Sequence, residues 1–220
     1  MNTETEDRHS LYLLVSLLLF LVLAAFLQGH QIGELILIVS IFAILLAATL
    51  ELSATKGMMW TALPLVTFSI LFTSLAHLYQ TRWMFIASYA LLTMYFGFAS
   101  VGMFTYLGRK GSITKGRLLG SVSLYLILGL FWFSIFNLLD TVYPGSFAEA
   151  GAVPLAKLPR STYLYFSIVT LTTTGYGDVV PVTPAARMLA SLEAVTGVLY
   201  IAITVARLVA AYQRTGNDEG

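Results

Sequence analysis

Six apolar runs decide most of what this chain can become. They are Leu11–Leu27, Ile32–Leu50, Met58–Tyr79, Trp83–Leu107, Leu118–Leu139 and Ala185–Tyr212. A bilayer core about 30 Å thick is crossed by roughly 20 apolar residues in helical form, and each run meets that length within a few residues. The expectation is an all-α membrane protein with six transmembrane helices. Composition agrees, with 58% hydrophobic and only 10% charged residues, where soluble domains carry about a quarter charged.

Several function classes fall away at once. The absence of cysteine rules out disulfides, thiolate metal sites and cysteine nucleophiles. A net charge of +1 leaves no basic face suited to nucleic acid. His9, His30 and His77 are scattered near segment ends and read as interfacial residues. No His-Asp-Ser set, metal-ligand cluster or Walker loop is present, so neither an enzyme nor a cofactor is expected. The stretch before the first run is acidic, with Glu4, Glu6 and Asp7 against Arg8 alone; a secretory n-region is positive, so the first run reads as a retained helix.

Breaks between the runs carry turn or charge signals, and their Lys and Arg residues orient the chain. With the N-terminus cytoplasmic, the inner side receives Arg8, Lys56, Arg109, Lys110, Lys115, Arg117 and Arg214, and the outer side Arg82, Lys157, Arg160 and Arg187. This favours both termini inside. The basic break between runs four and five suits an anionic inner leaflet, at about 1 kcal/mol per Lys or Arg near the surface. Positive-inside topology alone accounts for it equally well.

One region departs from the regular pattern. Residues 140–160, with Pro144, Gly145, Gly151, Pro154 and Pro159, read as an exposed loop. Ser161–Leu171 follows as a short apolar helix of 11 residues, about 17 Å long at 1.5 Å per residue. It is too short to span and is expected to enter partway and return. It runs into Thr172-Thr173-Thr174-Gly175-Tyr176-Gly177-Asp178. Irregular backbone at membrane depth is tolerated only where it is buried in protein or lines water. Gly175 and Gly177 can adopt φ > 0 without a Cβ clash, which would let successive carbonyls point the same way. Such a row, with the Thr173 hydroxyl at its inner end, offers hard oxygen ligands to a dehydrated alkali cation. One chain supplies one edge, so a closed cage needs several copies.

The Thr-x-Gly-Tyr-Gly-Asp motif after a short helix resembles the selectivity filter of tetrameric potassium channels. The resemblance covers about the last 100 residues, through outer helix, pore helix, filter and inner helix, and Thr174 stands where the family commonly has Val. It implies a homotetramer in the cell membrane that conducts K⁺ passively. Thr173, Thr174, Gly175, Tyr176 and Gly177 would form the ion-binding filter, with K⁺ held at Thr173, Thr174, Gly175 and Tyr176. Asp178, Tyr165 and Glu193 would support the filter, Tyr165 through a hydrogen bond to Asp178 and Glu193 through pore-helix hydroxyls such as Thr170. Phe166 reads as space-filling. By family position Gly197, Val198, Ile201, Val205 and Val209 would line the cavity and gate, although Gly197 reads equally as a close-packing site and the valine stripe as bundle packing. Arg207 is expected to snorkel to the inner interface or to pair between subunits.

The six-helix layout resembles prokaryotic-type channels whose first four helices form a voltage-sensor-like domain. Gating arginines are missing here, since the fourth run has only Arg82 at its outer edge, and weak or no voltage dependence is expected. The expected organisation is a cytoplasmic tail (1–10), a four-helix domain (11–107), a basic linker (108–117), a pore domain (118–212) with pore helix 161–171, filter 172–178 and inner helix 184–212, and a short tail (213–220). No appended ligand-sensing domain is expected. The competing readings are a weakly selective cation channel, a K⁺ transporter subunit, and a structural membrane protein.

Overall fold

The computed structural model describes residues 3–27, 31–52, 58–108, 114–151 and 158–217. Within them the chain forms seven helices and two short strands, in the order α1 (Thr3–Phe26), α2 (Gln31–Leu52), α3 (Met58–Tyr79), α4 (Arg82–Leu107), α5 (Lys115–Val142), β1 (Phe147–Glu149), α6 (Arg160–Leu171), β2 (Val179–Pro181) and α7 (Pro184–Asn217). This is an all-α membrane protein. Five helices contain stretches long and apolar enough to cross a bilayer, at 7–26, 58–79, 82–107, 115–142 and 184–207. Helix α2 contributes a further apolar stretch at Leu35–Glu51.

Helix boundaries shift outward from the sequence expectation where caps or continued helical chain allow it. The first helix begins at Thr3, inside the expected N-terminal tail, and α7 continues to Asn217, inside the expected C-terminal tail. The outer helix starts at Lys115 rather than 118, because Thr114 caps it, its side chain accepting a hydrogen bond from the Arg117 amide. A polar N-cap of this kind satisfies one of the amides that a helix leaves unpaired. Lys115 and Arg117 are therefore helical rather than part of a linker, while Arg109 and Lys110 lie outside the described residues. Thr183 caps α7 likewise, accepting from the Ala186 amide at 3.3 Å, with Pro184 in the first turn.

The expected exposed loop after the fifth run is corrected. Helix α5 continues to Val142, and Phe147–Glu149 pairs antiparallel with Val179–Pro181, with Ala148 opposite Val180. Ser146, Phe147 and Ala148 are buried. The reversal is built locally: Gly145 takes φ 83° and the Asp140 carboxylate accepts the Ser146 amide at 2.9 Å. The result ties the far end of the re-entrant segment back to the end of α5.

The main core lies where α5 meets α1, α4 and α6. Phe136, Phe147 and Phe166 meet edge to face with ring centroids 5.2 Å apart in each pair, and Tyr163 joins them at 5.6 Å from Phe147. Edge-to-face contacts of this kind add to the burial energy of each ring. Phe166 thus fills space against α5, as its apolar character suggests.

Contacts between distant segments place the helix ends. Asp7 accepts the Gly116 amide at 2.6 Å, and Ser10 donates to Glu51 at 2.6 Å. Arg207 lies over the Phe104 ring at 4.7 Å. The start of α1, the ends of α2 and α4, the start of α5 and the C-terminal part of α7 therefore share one end of the bundle. At the other end Arg82 donates to the carbonyls of Thr141 and Val142, at 3.0 and 2.9 Å, and Arg160 sits over the Phe85 ring at 3.8 Å.

Candidate functional site

The site begins with a helix that stops short. Helix α6 has 12 residues, about 18 Å at 1.5 Å per residue, well under the roughly 30 Å of a bilayer core. Its buried face, Tyr163, Leu164, Phe166, Ser167 and Leu171, packs on α5 and α7, so the helix is wedged between the two long helices. The C-terminal end is fixed from both sides. Tyr125 of α5 donates to the Leu171 carbonyl at 3.1 Å. Gly197 of α7 approaches so closely that a Cβ there would overlap that same carbonyl oxygen. This contact supports close packing, rather than a hinge, as the reason for glycine at 197.

Residues 172–178 leave this end as exposed, irregular backbone. Thr173 donates its amide to the Thr170 carbonyl at 2.9 Å, and Thr174 donates to Val169 at 2.9 Å. Gly175 is directed at the same Val169 carbonyl, at 3.4 Å. Three consecutive amides thus face back towards α6. Among the described residues no backbone amide donates to the carbonyls of 173–177.

The backbone alternates in hand along this stretch. Thr173, Gly175 and Gly177 have φ of 57°, 57° and 77°, while Thr174 and Tyr176 are not left-handed. Gly175 and Gly177 reach this region without a Cβ penalty; Thr173 does so as a β-branched residue, which is uncommon. Thr174 turns its hydroxyl to Thr172, 2.9 Å away, and Thr172 donates to the Ile168 carbonyl at 2.7 Å. The hydroxyls of 172 and 174 are therefore engaged with each other beside the helix end.

The outer part is braced by side chains. Tyr165 donates its hydroxyl to Asp178 at 2.7 Å, and its ring stacks on Tyr176 with centroids 6.5 Å apart and planes within 3°. The Asp178 carbonyl accepts the Ala150 amide at 2.8 Å, so β1 and β2 hold the segment where it leaves. Glu193 is fully buried in α7 and meets Ser167, at 2.6 Å, instead of the expected Thr170. Ser167 lies about one turn before Leu171 and faces inward; sequence reasoning missed it because a lone serine in an apolar helix carries no distinguishing mark.

Val198, Ile201, Val205 and Val209 are brought to one surface of α7, each being 50–53% exposed. Gly197 is not with them, since it faces Leu171. Arg207 stacks on the end of α4, an intrachain contact that the sequence did not indicate. No group of three or more His, Cys, Asp or Glu residues suited to a metal ion occurs among the described residues.

Comparison with known proteins falls on this part of the chain. The family described as "Ion channel" matches residues 119–214. The Shaker-related potassium channel tsha2 of Oncorhynchus mykiss is 34% identical over 105 residues, covering 46% of this chain and 20% of the relative. Potassium voltage-gated channel subfamily A member 7 of Homo sapiens is 36% identical over 98 residues, covering 44% and 19%. Subfamily A member 4 of Homo sapiens is 33% identical over 108 residues, covering 47% and 15%. The matched region spans about a fifth or less of these relatives' lengths. No solved structure matches. Residues 119–214 are thus similar to the ion-channel family, and the relatives that they resemble are potassium channels.

Proposed function

We propose that this chain is the subunit of a homotetrameric channel in the cell membrane that conducts K⁺ passively and selectively through a central pore. One observation carries the reading. A half-length helix delivers backbone of alternating hand, its amides turned back to the helix and its carbonyls without amide donors, to a place where irregular backbone must line water or protein. Carbonyl rings of this kind replace the hydration shell of an alkali cation. The carbonyls of Thr173, Thr174, Gly175 and Tyr176, with the Thr173 hydroxyl, bind the ion, and Gly177 completes the outer turn. Tyr165 and Asp178 brace the segment. The segment is exposed along its whole length in one chain, which fits a cage closed by further copies.

Both ends of the chain face the cytoplasm in this reading, and α2 supplies a sixth crossing. Lys115 and Arg117, with Arg109 and Lys110, meet the anionic inner leaflet. Val198, Ile201, Val205 and Val209 line the inner cavity. The channel needs no cofactor and does no chemistry on its ion. It is not steeply voltage-gated: after Arg82, α4 carries no charged residue, whereas steep gating moves 3–4 charges per subunit.

The test is K⁺ flux from liposomes holding the purified protein, with Ba²⁺ as blocker. Gly175→Ala forces a Cβ into a left-handed position at about 1–2 kcal/mol per copy, and flux should fall by at least about tenfold. Unchanged flux in this variant would sink the assignment of 172–178. Reversal potentials in mixed K⁺ and Na⁺ separate a selective pore from a permissive one, for which the permeability ratio would be near unity.

A further inference from the structure

Glu193 sits in the middle of α7 with none of its surface exposed, and its Oε2 has no hydrogen-bond partner among the described residues. Its Oε1 lies 2.6 Å from Ser167 Oγ, and that same oxygen lies 2.8 Å from the Gly129 carbonyl of α5. Both are hydrogen-bond distances. A serine hydroxyl carries one proton, however, and a carbonyl can only accept. If the Ser167 proton serves Gly129, the proton between Ser167 and Glu193 must belong to the carboxyl group.

The opposite assignment fails on two counts. It would leave two oxygens 2.8 Å apart with no hydrogen between them. It would also bury a carboxylate with one oxygen wholly unpaired, a cost that outweighs what a single hydrogen bond supplies. Among the described residues no cation is placed against this carboxyl group. Helix α6 presents the neutral Ser167. Helix α5 presents the Gly129 carbonyl and Tyr125, whose hydroxyl is given to Leu171. On α7 itself Arg187 and Arg207 are six and 14 residues away, about 9 and 21 Å along a helix.

We propose that Glu193 is held as a neutral carboxylic acid and acts as a hydrogen-bond donor in a relay, Glu193 to Ser167 to Gly129, which positions α6 between α7 and α5. The relay crosses all three helices at one level. With Tyr125 and Gly197 fixing the Leu171 carbonyl one turn further on, α6 is held at two successive heights. Sliding α6 by one residue would break both, and α6 carries the 172–178 segment. Glu193 is a positioning residue: it touches no ion, and it acts through the helix it locates.

Infrared difference spectroscopy of the purified wild type against Glu193→Gln at neutral pH tests the protonation directly. A carboxylic-acid C=O band should be present in the wild type and lost in the variant; spectra without such a difference overturn the proposal. In Ser167→Ala the band should move to higher frequency, because its hydroxyl loses its acceptor, and an unmoved band counts against the relay. Flux in liposomes tests the positioning and rests on the K⁺-pore reading above. Glu193→Gln keeps an N–H donor and should hold the K⁺/Na⁺ permeability ratio within about twofold, while Glu193→Leu should lower it about tenfold, the worth of one buried hydrogen bond. Equal behaviour of the two variants, whether both impaired or both normal, overturns the donor role. A wild type without K⁺ flux would retire the pore reading alone, since the infrared outcome does not depend on conduction.

Discussion

Helices α5 and α7 flank the same re-entrant segment, yet the chain treats them in opposite ways. In α5, 56% of the most apolar stretch is buried within the chain, against 22% in α7. Besides its own Thr114 cap, α5 is held at both ends by residues from the first four helices: Asp7 accepts at its first turn, and Arg82 donates to its last carbonyls. An anion at a helix N-terminus and a cation at its C-terminus both complement the helix dipole. In α7 the start is likewise capped by its own Thr183, and beyond Gly197 the described residues include a row of half-exposed apolar side chains. The difference teaches that α5 is scaffold inside the chain, whereas the far half of α7 is surface that the proposed channel would use for other copies or for the pore they enclose.

Substitutions along the two helices test this division. The largest effect should come from Phe136→Ala in α5, which empties the centre of the aromatic cluster and should cost about 3–5 kcal/mol, seen as a large fall in the thermal midpoint of the assembled protein. Gly197→Val forces side-chain atoms against the Leu171 carbonyl and should cost about 1–3 kcal/mol by overpacking; a variant of normal stability would mean that α7 is free to move off α6. Arg82→Gln removes the guanidinium from the end of α5, for about 1 kcal/mol, and should leave a shallow conductance-voltage curve unaltered. A steep curve abolished by this change would overturn the view of α4 as a packing helix. Smallest in stability is Val205→Ala, within about 0.5 kcal/mol. It should nonetheless alter single-channel conductance or block from the inside, and a stability loss as large as that of Phe136→Ala would erase the distinction between the helices.

How much of this could be read from residues alone depended on the range of the interaction. Helix cores were legible because long apolar runs admit one structure in a bilayer, and the re-entrant segment because Ser161–Leu171 is too short to cross. The Thr183 cap was legible because it acts three residues away. By contrast, β1 was read as loop: Phe147–Glu149 is flanked by turn residues, and its partner strand lies about thirty residues on, so no local pattern announces the pairing. Glu193 was marked by its charge, but the choice of Ser167 over Thr170 depends on how α6 is rotated, which packing on α5 sets. Asp7 and Arg82 as caps for α5 were invisible for the same reason, each acting on backbone far along the chain. Arg82 in particular read as an edge residue with no assigned partner.

Thr173 shares the left-handed conformation of Gly175 and Gly177. A β-branched side chain there carries strain of order 1 kcal/mol or more, which a glycine would relieve. Selection for foldability alone would therefore write glycine at 173, and make the segment a regular alternation of glycine with a bulkier residue. The threonine marks a position where ease of folding and the proposed handling of ions pull in different directions. A search for stabilised variants of this protein would be drawn to that residue early, and Thr173→Gly would be the change that improves the fold while removing the hydroxyl from the inner end of the proposed ion path.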